Sequence, residues 1–219
     1  MTRFVLVLAL GSALACAAPF QNGSFEDPTI TGFGFTTVPT GWITFDTSCG
    51  TDNCSGNGLF IQTYAAFSLP ALAGGGNQAF GFGGNGNTGS SLRQTFDTIA
   101  GHNYEVGFDY LIQQGSGHED WEVDALDGSN VLATNSQRFN NTNWVPFTFQ
   151  FTAGGTSSTL LFTDTSGQES AAEHQSTNWG LDVVTVTDLG GPVGSVPEPA
   201  SILLTTAGLA AVGLMRRRA

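Results

Sequence analysis

The feature that most constrains this chain is a two-residue rhythm of apolar and polar side chains. Phe147-Thr-Phe149-Gln-Phe151-Thr152 alternates without a break, and Tyr104-Glu-Val106-Gly-Phe108-Asp-Tyr110 does the same. A period of two places one class of residue on one face of an extended strand. Residues 160–163 and 184–187 follow more loosely, and 42–46, 59–64, 92–96 and 121–126 are further strand candidates. Turn-forming clusters separate them: Gly56-Asn57-Gly58, Gly74-Gly75-Gly76, residues 83–89, Asp127-Gly128-Ser129 and Gly154-Gly155. No segment between them shows a helical period, so the crossover helices that parallel strands need are missing from the pattern. The expectation is an all-β, two-sheet antiparallel sandwich with a shared apolar core and polar outer faces.

Charge narrows the partners. The 219 residues contain no lysine, and four of the six arginines lie at the ends, at Arg3 and Arg216 to Arg218. Residues 18–199 hold two arginines, Arg93 and Arg138, against all eighteen acids, a balance of −16. Such a body is repelled by phosphate backbones and by anionic lipid, so no nucleic-acid partner is expected.

Both ends read as addresses. Arg3, the apolar run from Phe4 to Leu10 and the small residues up to Ala18 form a secretory signal helix, with Ala15-Cys16-Ala17 as the cleavage site for the Sec signal peptidase. Cleavage before an acylated Cys16 and a buried N-terminal helix are the other readings. At the far end, a Gly/Pro linker leads to Val196-Pro197-Glu198-Pro199, an apolar stretch from Ala200 to Met215, and Arg216-Arg217-Arg218. Sixteen apolar residues make a helix of roughly 24 Å, a short membrane span. The arginines prefer the cytoplasmic side, which leaves the domain outside. This order of parts resembles the PEP-CTERM sorting tail. The resemblance implies recognition by an exosortase in the membrane, cleavage near Pro197-Glu198-Pro199, and a cell-surface or matrix destination. A plain uncut anchor is the other reading. The domain plan is therefore 1–17 signal peptide, 18–189 sandwich, 190–196 linker and 197–219 sorting tail with its transmembrane helix.

Cys49 and Cys54 enclose a short loop of turn formers. In an oxidising compartment such a pair forms a disulfide; a metal site needs more soft ligands than this loop offers.

The order of motifs adds a second resemblance. Asn22-Gly-Ser-Phe-Glu26 is followed by Gly41-Trp42, then 92–96, then Ala100-Gly-His-Asn-Tyr-Glu-Val-Gly-Phe-Asp-Tyr110, then Trp144 before 147–151, and finally Gly180-Leu-Asp-Val-Val-Thr-Val186. This order resembles the galactose-binding-like jelly rolls, which include many carbohydrate-binding modules. It implies a jelly roll and, by analogy with related modules, a structural Ca²⁺ held by Glu26 and Asp182. Parity places Asp182 on the side of Val184 and Val186, where an unpaired carboxylate needs a cation or several donors. Acceptance of backbone amides without any metal is the other reading. Trp179 and Tyr64 are the expected contacts to an extracellular polysaccharide, whereas Trp121 and Trp144 are expected in the core.

Catalytic patterns are weak. Gly81-Phe-Gly83-Gly84-Asn85-Gly86 matches a dinucleotide fingerprint in letters but precedes no helix. Gly115-Ser116-Gly117 lacks the spacing of a nucleophile elbow. Asp120, Glu122 and Asp124 alternate with Trp121, Val123 and Ala125 and read as a solvated strand face, with His118 and Glu119 just before it. Glu169, Glu173 and His174 read as a polar loop. The chain is thus expected to be no enzyme. Protein isolated from the producing cells should have lost about 17 residues in front and roughly 20 behind; an intact-mass measurement showing the full precursor would contradict both processing events.

Overall fold

The computed structural model describes residues 18–35, 37–53, 58–83, 88–114, 117–166 and 178–191. The signal segment, Cys54, Glu169, Glu173, His174, Pro197, Glu198, Pro199 and Arg216 to Arg218 lie outside them. Among the described residues no helix is long and apolar enough to cross a membrane.

Among the described residues twelve strands build two six-stranded sheets, with a single turn of helix between two of the strands. Sheet A runs β1 (Phe33–Gly34), β4 (Leu59–Thr63), β5 (Gln78–Gly83), β12 (Asn178–Gly190), β7 (Asn103–Gln114), β10 (Val145–Thr152). Sheet B runs β3 (Thr51–Asp52), β2 (Ile43–Asp46), β6 (Ser91–Asp97), β11 (Ser157–Asp164), β8 (Glu119–Asp127), β9 (Asn130–Phe139). Every ladder is antiparallel. The all-β two-sheet sandwich expected from the period-two pattern is the fold found.

The core lies between the sheets and is aromatic. Phe108 meets Trp121 and Phe162 edge-on, with centroids 5.2 and 5.1 Å away, and Trp42 is buried with Phe25. On β8 the alternation holds as read: Trp121, Val123 and Ala125 are buried, while Asp120, Glu122 and Asp124 are not. Trp144, expected in the core, is instead half-buried at the start of β10, with its indole N–H donating to the Pro70 carbonyl at 2.8 Å.

Four strands escaped the sequence: the two-residue strands β1 and β3, too short to show a period, and the longer β5 and β9. β9 carries Asn, Thr, Ser, Gln and Arg because it is an edge strand exposed over most of its length. β5 was hidden by Gly81 and Gly83, which look like loop residues. It is nevertheless a central strand, with Phe80 and Phe82 filling the core and the glycines facing outward.

The N-terminal segment closes the sandwich. Asn22 donates to the carbonyls of Asp27 and Thr40, its own carbonyl accepts from the Trp42 indole at 3.0 Å, and Phe25 is fully buried. Gln94 clamps the backbone of Gln21 through both ends of its amide. Gly23 lies flat on β12: its carbonyl accepts from Val184 N–H at 2.9 Å, and a Cβ there would stand 1.9 Å from the Val184 carbonyl oxygen. Gly23→Ala should therefore cost ~1–3 kcal/mol or more through overpacking, read as a lower unfolding midpoint of the full chain in detergent; an unchanged midpoint would contradict this close contact.

Candidate functional site

Asp182 does not point where parity placed it. Between Asp182 and Thr185, β12 has two residues opposite one on β7, and Val183 takes a positive φ of 50°. This β-bulge breaks the alternation. Trp179, Leu181 and Val184 face the core, whereas Gly180 and Asp182 face outward from sheet A. That outer face is itself covered. Residues 64–77, which begin with the helical turn α1 (Tyr64–Phe67), connect β4 to β5 and reach Trp144, just before β10, through Pro70. Asp182 is consequently fully buried.

Tyr64 and Asp182 form one hydrogen-bonded pair. The Tyr64 hydroxyl donates to Asp182 Oδ2, and the Val183 N–H donates to Oδ1 at 2.6 Å. Burial pushes the Asp182 carboxyl up to about 8, offset in part by its two donors and reinforced by nearby Glu26 and Asp109. Burial also raises Tyr64, with Asp182 adding to the effect, and raises Asp109. Glu26 holds the returning chain: its Oε1 accepts from Asn77 N–H at 2.7 Å and Gln78 N–H at 2.6 Å. The glycine run fits against both acids. A Cβ on Gly75 would stand 2.0 Å from the Tyr64 hydroxyl, and one on Gly76 2.5 Å from Glu26 Oε1.

Glu26 and Asp182 thus come together as the motif order implied, but this arrangement does not fit Ca²⁺. Both Asp182 oxygens and one Glu26 oxygen already accept protein donors, and burial disfavours the charged form of Asp182. Hard cations need several free, charged oxygens. No group of three or more candidate metal-binding residues occurs among the described residues. The acids instead pin residues 64–77 to the sheet.

The expected sugar platforms also move. Trp179 is fully buried and stacks on Phe82 in the core, with centroids 4.0 Å apart and planes 2° apart, so it offers no face to an external ligand. Its polar approach in sequence was misleading: Asn178 is partly exposed, but the next four residues of β12 are buried. Tyr64 is buried too, with its ring beside Trp144 at 5.9 Å. Cys49 sits in the turn after β2, around Asp46, whose carboxylate accepts from Ser48 N–H and Gly58 N–H.

An open groove lies at one pole of the sandwich. It has a volume of about 420 Å³ and is lined by Phe20, Phe96, Ile99, Tyr104 and Val186, with the polar groups of Asp97, Thr98 and Asp188. Tyr104 donates to Asp188 Oδ2 at 3.2 Å and accepts from Ile99 N–H at 2.9 Å. Asp188 is held below the usual carboxylate range by the Gly190 amide and by His102, whose Nδ1 lies 3.0 Å away. Ile99 is 54% exposed and supplies one apolar lip. Sequence reading missed this groove. Its walls come from the chain start, β6, the loop before β7, and β12, which only the fold brings together.

The fold is an all-β sandwich of two antiparallel sheets. The family model described as a protein of unknown function (DUF642) matches residues 68–184, and the chain belongs to the DUF642 family. No curated protein matches by sequence. Among solved structures, a Stig cyclase, FisC from Fischerella sp. TAU, in complex with a pyrrolidinylidene-indole, is similar at 18% identity. It covers 81% of this chain and 99% of its own, with a TM-score of 0.63. A cyclase from the same organism, in complex with 4-(1H-indol-3-yl)butan-2-one, gives 18% identity, coverage of 82% and 100%, and a TM-score of 0.61. The carbohydrate-binding module TmCBM61 in complex with β-1,4-galactotriose gives 15% identity, coverage of 78% and 98%, and a TM-score of 0.49. At these identities the likeness to both cyclases is one of fold.

A buried acid that keeps its proton up to about pH 8 carries a signed prediction. The unfolded carboxyl releases its proton near pH 4, so between about 4 and 8 the native state binds more protons and stability falls as pH rises. Asp182→Asn should abolish that decline, seen as a urea midpoint that diverges from the parent's across this window. Parallel curves would mean that Asp182 is ionised in the fold. A chelator should leave the parent's midpoint unchanged.

Proposed function

We propose that this chain is an exported bacterial surface or matrix protein whose jelly roll associates, without catalysis, with extracellular polysaccharide. The Sec signal peptidase removes residues 1–17. An exosortase recognises Pro197-Glu198-Pro199, the transmembrane helix and Arg216 to Arg218. The order of the terminal segments supports this route. A disulfide between Cys49 and Cys54, as the sequence suggests, belongs with an oxidising destination.

The observation that carries the binding part is the groove at the pole of the sandwich. One wall is apolar and the rim holds carboxylates and hydroxyls. A sugar ring has the matching character: C–H faces for the wall, hydroxyl donors for Asp97 and Asp188. The acidic surface disfavours uronic-acid polymers and favours neutral ones.

A second reading rests on the His102–Asp188 contact, since a hydrolase would show a histidine oriented by a carboxylate. A nucleophile would then be needed at Nε2, where the structure places the backbone of Gly191, a Cβ on which would lie 3.5 Å away. The same contact serves to fix the end of β12.

Retention of the full chain on neutral polysaccharide beads tests the proposal. Ile99→Glu puts a charge on the exposed lip and should cut retention at least tenfold while leaving the unfolding midpoint within a degree or two. Absence of retention of the parent on every glycan would favour a structural envelope or biofilm role, and turnover of ester or glycoside substrates would favour the hydrolase.

A further inference from the structure

An edge strand offers unpaired N–H and C=O groups to any chain that can lie beside it, and folded proteins blunt such edges. Among the described residues the two sheets have four edges, and three are blunted. β1 and β3 are two residues long, and Asp52 on β3 is held in an ion pair with Arg93. β10 has eight residues but carries Pro146, which has no N–H to give. β9 differs. It is ten residues long, with β8 on one side and no described strand on the other. It contains neither proline nor lysine. Its irregularities sit toward its ends: a bulge that leaves Leu132 without a partner on β8, and the charge of Arg138. Between them Ala133-Thr134-Asn135-Ser136-Gln137 is uncharged and pairs residue for residue with β8.

Charge selects the occupant. In a body of net charge −16, most contacts between two copies set carboxylate against carboxylate. Residues 128–163, which hold β9, β10 and the loop between them, contain no Asp or Glu. The acidic row of Asp120, Glu122 and Asp124 lies one strand back, on β8. Across a β9–β9 junction the two rows stand three strand spacings apart, roughly 14 Å. That exceeds the screening length of about 8 Å at physiological salt. A cationic partner, by contrast, would be drawn to the acidic faces and away from this strip. The strip is also symmetric in chemistry about Asn135, with a hydroxyl on either side. Antiparallel alignment of two copies sets Asn135 opposite itself and Thr134 opposite Ser136 of the second copy. Two amides facing each other can each donate and accept. The Thr134 hydroxyl already donates to Asp124 Oδ1 at 2.6 Å, which leaves it an acceptor for Ser136 of the second copy.

We propose that β9 is a self-association edge: two copies pair antiparallel through residues 133–137, with Asn135 on the two-fold axis, and join their sheets B into one continuous sheet. Each copy has a single edge of this kind, so the contact closes as a dimer and does not grow into a fibre. Five paired residues a side make a small interface, which keeps the pairing reversible.

Opposed residues of an antiparallel pair have Cα atoms about 4.5–5.5 Å apart, within reach of a disulfide. Under mild oxidation of the full chain in detergent, Asn135→Cys should give a disulfide-linked dimer at least tenfold faster than Asn130→Cys or Ser136→Cys, which the register does not set against themselves. Sedimentation equilibrium in density-matched detergent should show a reversible dimer of the parent. Asn135→Asp keeps the side-chain shape and sets two carboxylates face to face, and should weaken the dimer at least tenfold. Ala66→Glu adds the same charge at an exposed position on α1, beside the opposite edge of sheet A, and should leave the dimer unchanged. A parent that stays monomeric at high concentration, equal cross-linking from all three cysteine variants, or equal weakening by Ala66→Glu would overturn the proposal. So would a dimer that Asn135→Asp leaves intact, since the copies would then meet elsewhere, through the apolar tail or another face. If Asn135→Asp lowers the unfolding midpoint, the comparison of the three cysteine variants decides.

Discussion

The ladder between β7 and β12 is the constraint on which the rest of the molecule depends. These are the two longest described strands, and they lie side by side within sheet A. Their inner faces, Val106, Phe108, Tyr110 and Ile112 on one and Trp179, Leu181 and Val184 on the other, supply much of the aromatic core. Their outer faces are shaped by two bulges. One turns Gln113 over Gly180, and the other turns Asp182 out of the core. A regular ladder would have left Asp182 beside Val184 with no donor, at a desolvation cost of several kcal/mol. The bulge delivers it to the Tyr64 hydroxyl instead.

That displacement explains why residues 64–77 follow the path they do. The segment is rich in alanine, leucine and glycine, with little means of holding itself to a sheet. Polar contacts hold it: Tyr64 on Asp182, the amides of Asn77 and Gln78 on Glu26, and the Trp144 indole on Pro70. Gly75 and Gly76 are needed because the acids lie directly against the backbone. The same Glu26 belongs to the N-terminal segment that Gly23 seats on β12, so chain start, strap and last strand form one interlocked unit. A metal would duplicate a task that these hydrogen bonds already perform.

Much of this was legible in the residues. Strict alternation marked β7, β8 and β10, because a half-buried strand has no other way to satisfy both its faces. The Asn22-Gly-Ser-Phe-Glu26 opening and the Gly180-Leu-Asp182 closing segments do meet, through the Val184 N–H on the Gly23 carbonyl, a backbone contact that carries no side-chain signal in the sequence. Edge strand β9 was not legible, since exposure over most of its length leaves only Leu132, Ala133 and Phe139 as apolar contacts with the core. Central strand β5 was not, since glycine reads as a turn unless a neighbour's ring is known to lie on it.

The sequence by itself determined the class of fold, the acidic character of the body and the segments that form most strands, because periodicity and charge are local properties of the chain. Only the tertiary structure decided which way Asp182 points, that Trp179 is core and Trp144 is rim, and that a groove opens at the pole. Each of these turns on register and on what a distant segment brings alongside, and a bulge of one residue is enough to reverse the inference from parity.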